Sequence, residues 1–541
     1  MFFDVLGDMH PRPFALNLVG VLMSPSETIP KSKLSSWSWT QLPKHVYVLL
    51  VIFFMSISGF LAFYEGATKY SLLVFQHDEQ LIEKVAAAKA EPSVQTISAV
   101  STEIGFFSNL VTPERFSDSK LLDLSMFYNQ LSPYANAVLA IHIFFSSFCM
   151  ILGGFQFWPA FRKKYMSLHR TFGKIYIVTV PIAMVTAILY MLSIKPDELY
   201  THFTGYIALW ILAVIALLGI VGAMRALQQK RVYEHQAYMA FTFGALMIAP
   251  MLRWNWVGLG LLFPNIDQET VNLMTLIVLL PENLLIAYGL ILINRQWQRP
   301  QWKRAVQPLS SWFDAAVRRG LPVLYLGVLL VGLLVVSQYV VDVPKWIESL
   351  LVQFTPQSYV ENLQTVFEQV GWLRQGFAVS LITTLALGVY VLGHMIRRNQ
   401  TSELVVPMGL AYALSVFGAL AAASSIGLGW QIGVQPDAAI LSGGTVYVAG
   451  GLLILFFTLI WTIAVFQQWS AQAKEALVFL IAVLPFPALL IVGLWIMQFM
   501  PLPTAYVLAG QGYQVAAGAS LFMLIPAFFY VVYGQATRAY N

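Results

Sequence analysis

Apolar runs of about 20 residues recur along the whole chain, each closed by a polar or basic cluster. A run of about 20 residues crosses a bilayer core of roughly 30 Å as a helix, which bonds every backbone polar group within the segment. The pattern predicts twelve spans, near residues 46–64, 135–159, 173–194, 203–224, 237–259, 271–293, 321–341, 376–396, 404–430, 445–467, 477–500 and 505–533. The expected fold is all-α, a polytopic integral membrane protein whose one certain partner is the lipid bilayer.

Composition and charge sharpen that reading. The 541 residues are 58% hydrophobic and only 11% charged, outside the range of soluble globular domains. With the N-terminus inside, 21 of the 31 lysines and arginines fall in cytoplasmic segments and 8 in outer ones. Five of those eight share one long loop, where the positive-inside bias hardly applies. Both termini are therefore expected in the cytoplasm. Topology accounts for the net charge of +5, so no nucleic-acid partner is called for. Cys149 is the only cysteine, which excludes a disulfide framework, a Cys-x-x-Cys site and covalent haem attachment through Cys-x-x-Cys-His.

Six regions follow. Residues 1–45 form a polar tail without a signal-peptide layout, and 46–64 the first helix. Residues 65–132 make a mixed-charge outer loop or cap, with a helix-like stretch around Gln76–Ala90. A membrane bundle at 133–295, a basic cytoplasmic linker at 296–320 and a six-helix region at 321–541 complete the chain. The two halves do not read as repeats. Small residues crowd spans nine and twelve (Gly409, Gly418, Gly427, Gly429; Gly510, Gly512, Gly518), where they favour close helix packing in lipid.

The candidate chemistry lies in four histidines. His142, His169, His202 and His235 fall at the ends of spans two to five, alternating between faces, with separations of 27, 33 and 33 residues. On this reading His142 lies about 10 Å into span two and His202 roughly 8 Å into span four at 1.5 Å per residue. His169 and His235 both stand at cytoplasmic helix starts. Two same-depth pairs on a four-helix bundle suit two stacked haems, since axial imidazoles ligate haem iron. About 10–18 Å would separate two such sites in a ~30 Å core, one electron hop. Arg162, Lys164, Arg170 and Arg231 inside, and Arg253 towards the outside, are candidate partners for propionates. A histidine-only zinc site would need three or four ligands at one point, whereas these stand at two depths.

Two other residues carry chemistry. Glu282 stands near the middle of span six, beside Pro281, where a carboxylate is costly and often belongs to a proton or ion path. Pro281 is a candidate helix break, and Arg253 a candidate ion-pair partner for Glu282. His394, just before Arg397 and Arg398, reads as interfacial. No nucleotide-binding fingerprint and no His-Glu-x-x-His motif occurs.

The stretch His169-Arg-Thr-Phe-Gly-Lys-Ile-Tyr176, read as H-R-x-x-G-x-x-Y, resembles a hallmark of a bacterial predicted-membrane-protein family of unknown function. The stretch from Glu234-His235 to Arg253 does so too. The ligand order, span two with four and three with five, is similar to that of the cytochrome b561-type di-haem family. The resemblance covers roughly residues 135–295. It implies one b-type haem on His142 and His202 and a second on His169 and His235, with electrons crossing the bacterial inner membrane between a quinol or small redox substrate and an acceptor. The short separation of 27 and the six further spans depart from that pattern. A secondary transporter without cofactor, using Glu282 and Arg253, is the alternative reading, and a structural membrane component a third.

Overall fold

The computed structural model describes residues 42–117, 119–199, 202–296, 309–340, 345–397, 406–433, 443–503 and 510–540. Nearly all of the N-terminal tail and residues 297–308 of the linker lie outside them. The described residues are 86% helical, with no strand among them. Among the described residues ten helices are long and apolar enough to cross a membrane, or twelve with each of two bent pairs counted as one span. All twelve predicted spans are matched.

Helix α1 (Leu42–Glu65) continues as a single π turn, Gly66–Tyr70. After one further helical turn, Ser71–Leu73, five helices form the cap: α2 (Leu81–Ala90), α3 (Val94–Val100), α4 (Thr102–Leu110), α5 (Pro113–Ser117) and α6 (Leu121–Gln130). The expected loop is thus a small helical layer with its own core of Leu81, Val85, Ile97, Phe107, Phe116 and Leu122. Amphipathic pieces too short to span can bury one face only by packing together on the bundle. Trp256 and Val271, from the bundle, complete that core.

Then come α7 (Pro133–Gln156), α8 (Pro159–Lys164), α9 (Met166–Met191), α10 (His202–Gln228), α11 (Val232–Leu246), α12 (Ile248–Leu262) and α13 (Gln268–Gln296). Helices α11 and α12 form one span bent by 54°. Pro250 lies in the first turn of α12, where it cannot donate to the carbonyl four residues back. Pro281, the expected break, causes none, and α13 runs unbroken through it. Tight packing on both sides outweighs the single lost hydrogen bond, Leu279 and Leu284 both being buried.

The second half comprises α14 (Leu309–Tyr339), α15 (Lys345–Phe354), α16 (Gln357–Gln369), α17 (Gly371–Arg397), α18 (Met408–Ile432), α19 (Thr445–Phe466), α20 (Ser470–Val483), α21 (Phe486–Met497), α22 (Gln511–Ala519) and α23 (Leu524–Tyr540). Helices α20 and α21 bend by 42° at Pro485. Small residues let α18 and α19 approach closely, as expected for span nine: a Cβ on Gly418 would stand 2.5 Å from Thr458 Oγ1. The halves share one apolar core. Phe241 packs on Phe529 at 4.8 Å between ring centres, and Tyr288 on Phe479 at 5.4 Å.

Candidate functional site

Helices α7, α9, α10 and α11 carry the four histidines and alternate in direction, so the face from which α7 starts also bears the cap. At the opposite face, His169 is the fourth residue of α9 and His235 the fourth of α11. The two imidazoles stand within electrostatic reach of each other, with Arg162 and Arg170 also near His169. Both histidines of the predicted inner pair thus stand at this end of the bundle.

The H-R-x-x-G-x-x-Y motif gains a physical account here. His169, Gly173 and Tyr176 recur at four and three residues and so share one face of α9. That face meets the end of α7. A Cβ on Gly173 would stand 3.3 Å from Gln156 Oε1, and one on Gly153 would stand 2.4 Å from Phe243 and 3.1 Å from Tyr176. The glycines thus set how closely α7, α9 and α11 approach. Arg170 points away from this face and is exposed. Arg162, on α8, donates to Asn294 Oδ1 at 2.9 Å. Burial lowers the pKa of its guanidinium from the ordinary value, yet an arginine remains charged. Trp158, Phe161 and Phe172 stack beside it, with centroid separations of 6.3 and 5.9 Å.

Buried polar atoms without a hydrogen-bond partner gather at this end: His169 Nδ1, Gln156 Nε2, Trp158 Nε1, Tyr176 OH and Gln236 Oε1. Most buried polar groups in proteins are paired, so such a group of them fits a polar ligand. Sequence reasoning missed Gln156, Trp158 and Gln236, because uncharged side chains in an apolar run give no signal of their own.

At the cap face the pairing is less even. His142 lies nine residues into α7, half-buried, and its Nδ1 is 2.7 Å from the Ala183 carbonyl. His235 Nδ1 is likewise 2.9 Å from the Ala223 carbonyl. A carbonyl only accepts, so in both rings Nδ1 carries the proton and Nε2 keeps its lone pair. His202 is the first residue of α10, not a turn or more inside the span as expected, because Pro196–Glu198 forms a separate turn before it. Its side chain lies outside the described residues.

Arg253 is held by the cap: Nε meets Glu103 Oε1 at 3.0 Å and Nη2 meets Oε2 at 3.4 Å. The expected link to Glu282 is not made. Glu282 accepts instead from Asn255 Nδ2 at 2.7 Å; Asn255 lies two residues beyond Arg253, and residues so spaced leave a helix from different faces. His394, three residues from the end of α17, is remote in sequence from the four-histidine bundle. Among the described residues no group of three or more His, Cys, Asp or Glu could hold a metal ion.

Fold and site together define an integral membrane protein with a histidine-bearing helical bundle. Residues 139–291 match a family profile described as "Predicted membrane protein (DUF2306)", a stretch that includes all four histidines and covers less than half of the chain. No curated protein and no solved structure matches it.

Proposed function

We propose that residues 133–295 hold two b-type haems and serve transmembrane electron transfer, with His169 and His235 as ligands near one face and His142 and His202 near the other. One observation carries the reading. His142 and His235 each give Nδ1–H to a backbone carbonyl, at 2.7 and 2.9 Å, which leaves the Nε2 lone pair to ligate. Metal-ligating histidines are typically fixed this way, since the second hydrogen bond sets the tautomer and the ring orientation. The unpartnered groups around His169 fit the same ligand, and Arg162 supplies a cation for a carboxylate at that end. Haem would supply a one-electron carrier at each face. The chain's own part is to orient the imidazoles, exclude water and neutralise propionates. A bacterial inner membrane, and a quinol or small redox substrate as partner, belong to the same proposal.

A reduced-minus-oxidised visible spectrum of the purified protein, with a pyridine haemochrome assay, tests it. About two haems per chain are expected, falling to one in His169→Ala and to one in His142→Ala. No haem, from cells well supplied with it, overturns the reading. One observation favours the transporter alternative in that event: Glu282 stands mid-span with no ion pair among the described residues.

A further inference from the structure

Three tyrosines gather beneath the cap, on the cap side of His142. Tyr70 sits on the π turn after α1, Tyr128 on α6 and Tyr190 near the end of α9. The rings of Tyr70 and Tyr128 meet edge to face at 5.4 Å. All three phenols are within electrostatic reach of one another, and Glu103 and Arg253 are in reach of the first two. Tyr190 is only 7% exposed, and its hydroxyl has no hydrogen-bond partner. Leu131, Val138 and Leu139 pack with the three tyrosines, together with Ile143, the neighbour of His142.

Elementary costs make this arrangement informative. A buried hydroxyl without a partner costs about 1–3 kcal/mol, and methyl-sized apolar groups would fill the same space at no such cost. The charges balance: Glu103 neutralises Arg253, while Glu65 accepts from Ser101 and from the Glu103 N–H, and Lys69 donates to the Val100 carbonyl. A site with paired charges and a buried phenol without a partner selects a neutral ligand with oxygen functions. Burial also raises the Tyr128 pKa, so its phenol remains a neutral donor. A single π turn in an otherwise regular helix often marks a functional site, and here it carries Tyr70. Exposed apolar residues flank it, Leu72 at 61% and Phe75 at 88%, which suits approach from the lipid.

We propose that Tyr70, Tyr128, Tyr190 and Glu103 form a binding site for the head group of a membrane-dissolved quinol, covered by the helical cap. The phenols hydrogen-bond the two ring oxygens, and the Glu103–Arg253 pair holds the cap over them. The site's use for electron exchange rests on the cytochrome reading, because it adjoins His142; its existence does not.

Binding of a short-chain ubiquinol to the full-length protein in nanodiscs tests the proposal, measured on preparations with and without haem. Tyr190→Phe and Tyr128→Phe should each weaken binding roughly tenfold, the equivalent of one hydrogen bond. Tyr190→Phe should leave the melting temperature unchanged or higher, since it removes a hydroxyl with no partner. Tyr390→Phe, on a remote exposed position, should bind like the wild type. No binding to the wild type, or equal binding by the tyrosine variants, overturns the site. Two haems with no quinol binding would leave the cytochrome standing and this inference fallen. Quinol binding to a protein that never takes up haem would do the reverse.

Discussion

Gln511 Oε1 accepts the main-chain N–H of Phe203 at 2.9 Å, joining residues 308 positions apart. The first N–H groups of a helix have no partner inside it, and in a bilayer each unsatisfied group costs several kcal/mol. The start of α10 receives one partner from α22 of the second half. Thr204 adds another tie, its hydroxyl donating to Gln514 Oε1 at 2.8 Å. A helix of the second half thus buttresses the helix end on which His202 stands.

Gln511→Leu keeps the volume and removes the acceptor. It should cost about 1–3 kcal/mol and speed amide exchange across residues 203–206, while exchange in α11 stays unchanged. Gln511→Glu retains an oxygen acceptor and should restore protection. Uniform exchange rates across the bundle in Gln511→Leu would show that α10 needs no support from the second half.

Gly153 tests the close approach at the motif. A Cβ there meets Phe243 at 2.4 Å and Tyr176 at 3.1 Å, so Gly153→Ala forces packed rings apart. Overpacking of this kind costs about 1–3 kcal/mol, and a clear drop in melting temperature is expected. Gly173→Ala meets only Gln156 Oε1 at 3.3 Å, the end of a side chain that can yield, and should cost much less. Equal losses in the two variants would contradict this account of the motif.

The spans and the four histidines were legible because both signals are local. A run of about 20 apolar residues can do little but cross a bilayer, and an ionisable residue within one stands out. What pairs with what was not local. Arg253 finds Glu103 from a cap helix 150 positions away, and Glu282 finds Asn255; a single sequence holds no record of either choice. The tyrosine cluster was invisible for the same reason, since Tyr70, Tyr128 and Tyr190 are ordinary residues until the fold assembles them. Pro281 misled because a proline's lost hydrogen bond is readable, whereas the packing that outweighs it is not.

Arg115 makes the cap's docking testable. Its guanidinium donates to Gln268 Oε1 at 3.1 Å, to the carbonyls of Gly260, Phe263 and Pro264 at 3.4–3.5 Å, and to that of Ile266. It thereby satisfies carbonyls at the end of α12 that lack helical partners. Arg115→Ala should loosen the cap and raise its cleavage by added protease severalfold, with the spans left intact. Arg115→Lys should rescue poorly, because an ammonium cannot reproduce the planar fork. Unchanged cleavage in Arg115→Ala would place the cap's anchorage elsewhere, with Glu103–Arg253 as the next pair to break.

Glu282 separates the two functional readings with one conservative change. Glu282→Gln keeps an oxygen to accept from Asn255, so stability should move by less than about 0.5 kcal/mol. Glu282→Leu strands Asn255 Nδ2 and should cost about 1–3 kcal/mol. Haem content should be two per chain in both variants if the histidines alone hold the cofactors. A protein that works by moving a proton or ion through Glu282 instead loses that activity in Glu282→Gln at full stability, because an amide cannot carry the proton. Proteoliposomes with a pH-sensitive dye inside decide between them. Proton movement abolished by Glu282→Gln, with every histidine variant fully active, would displace the cytochrome reading.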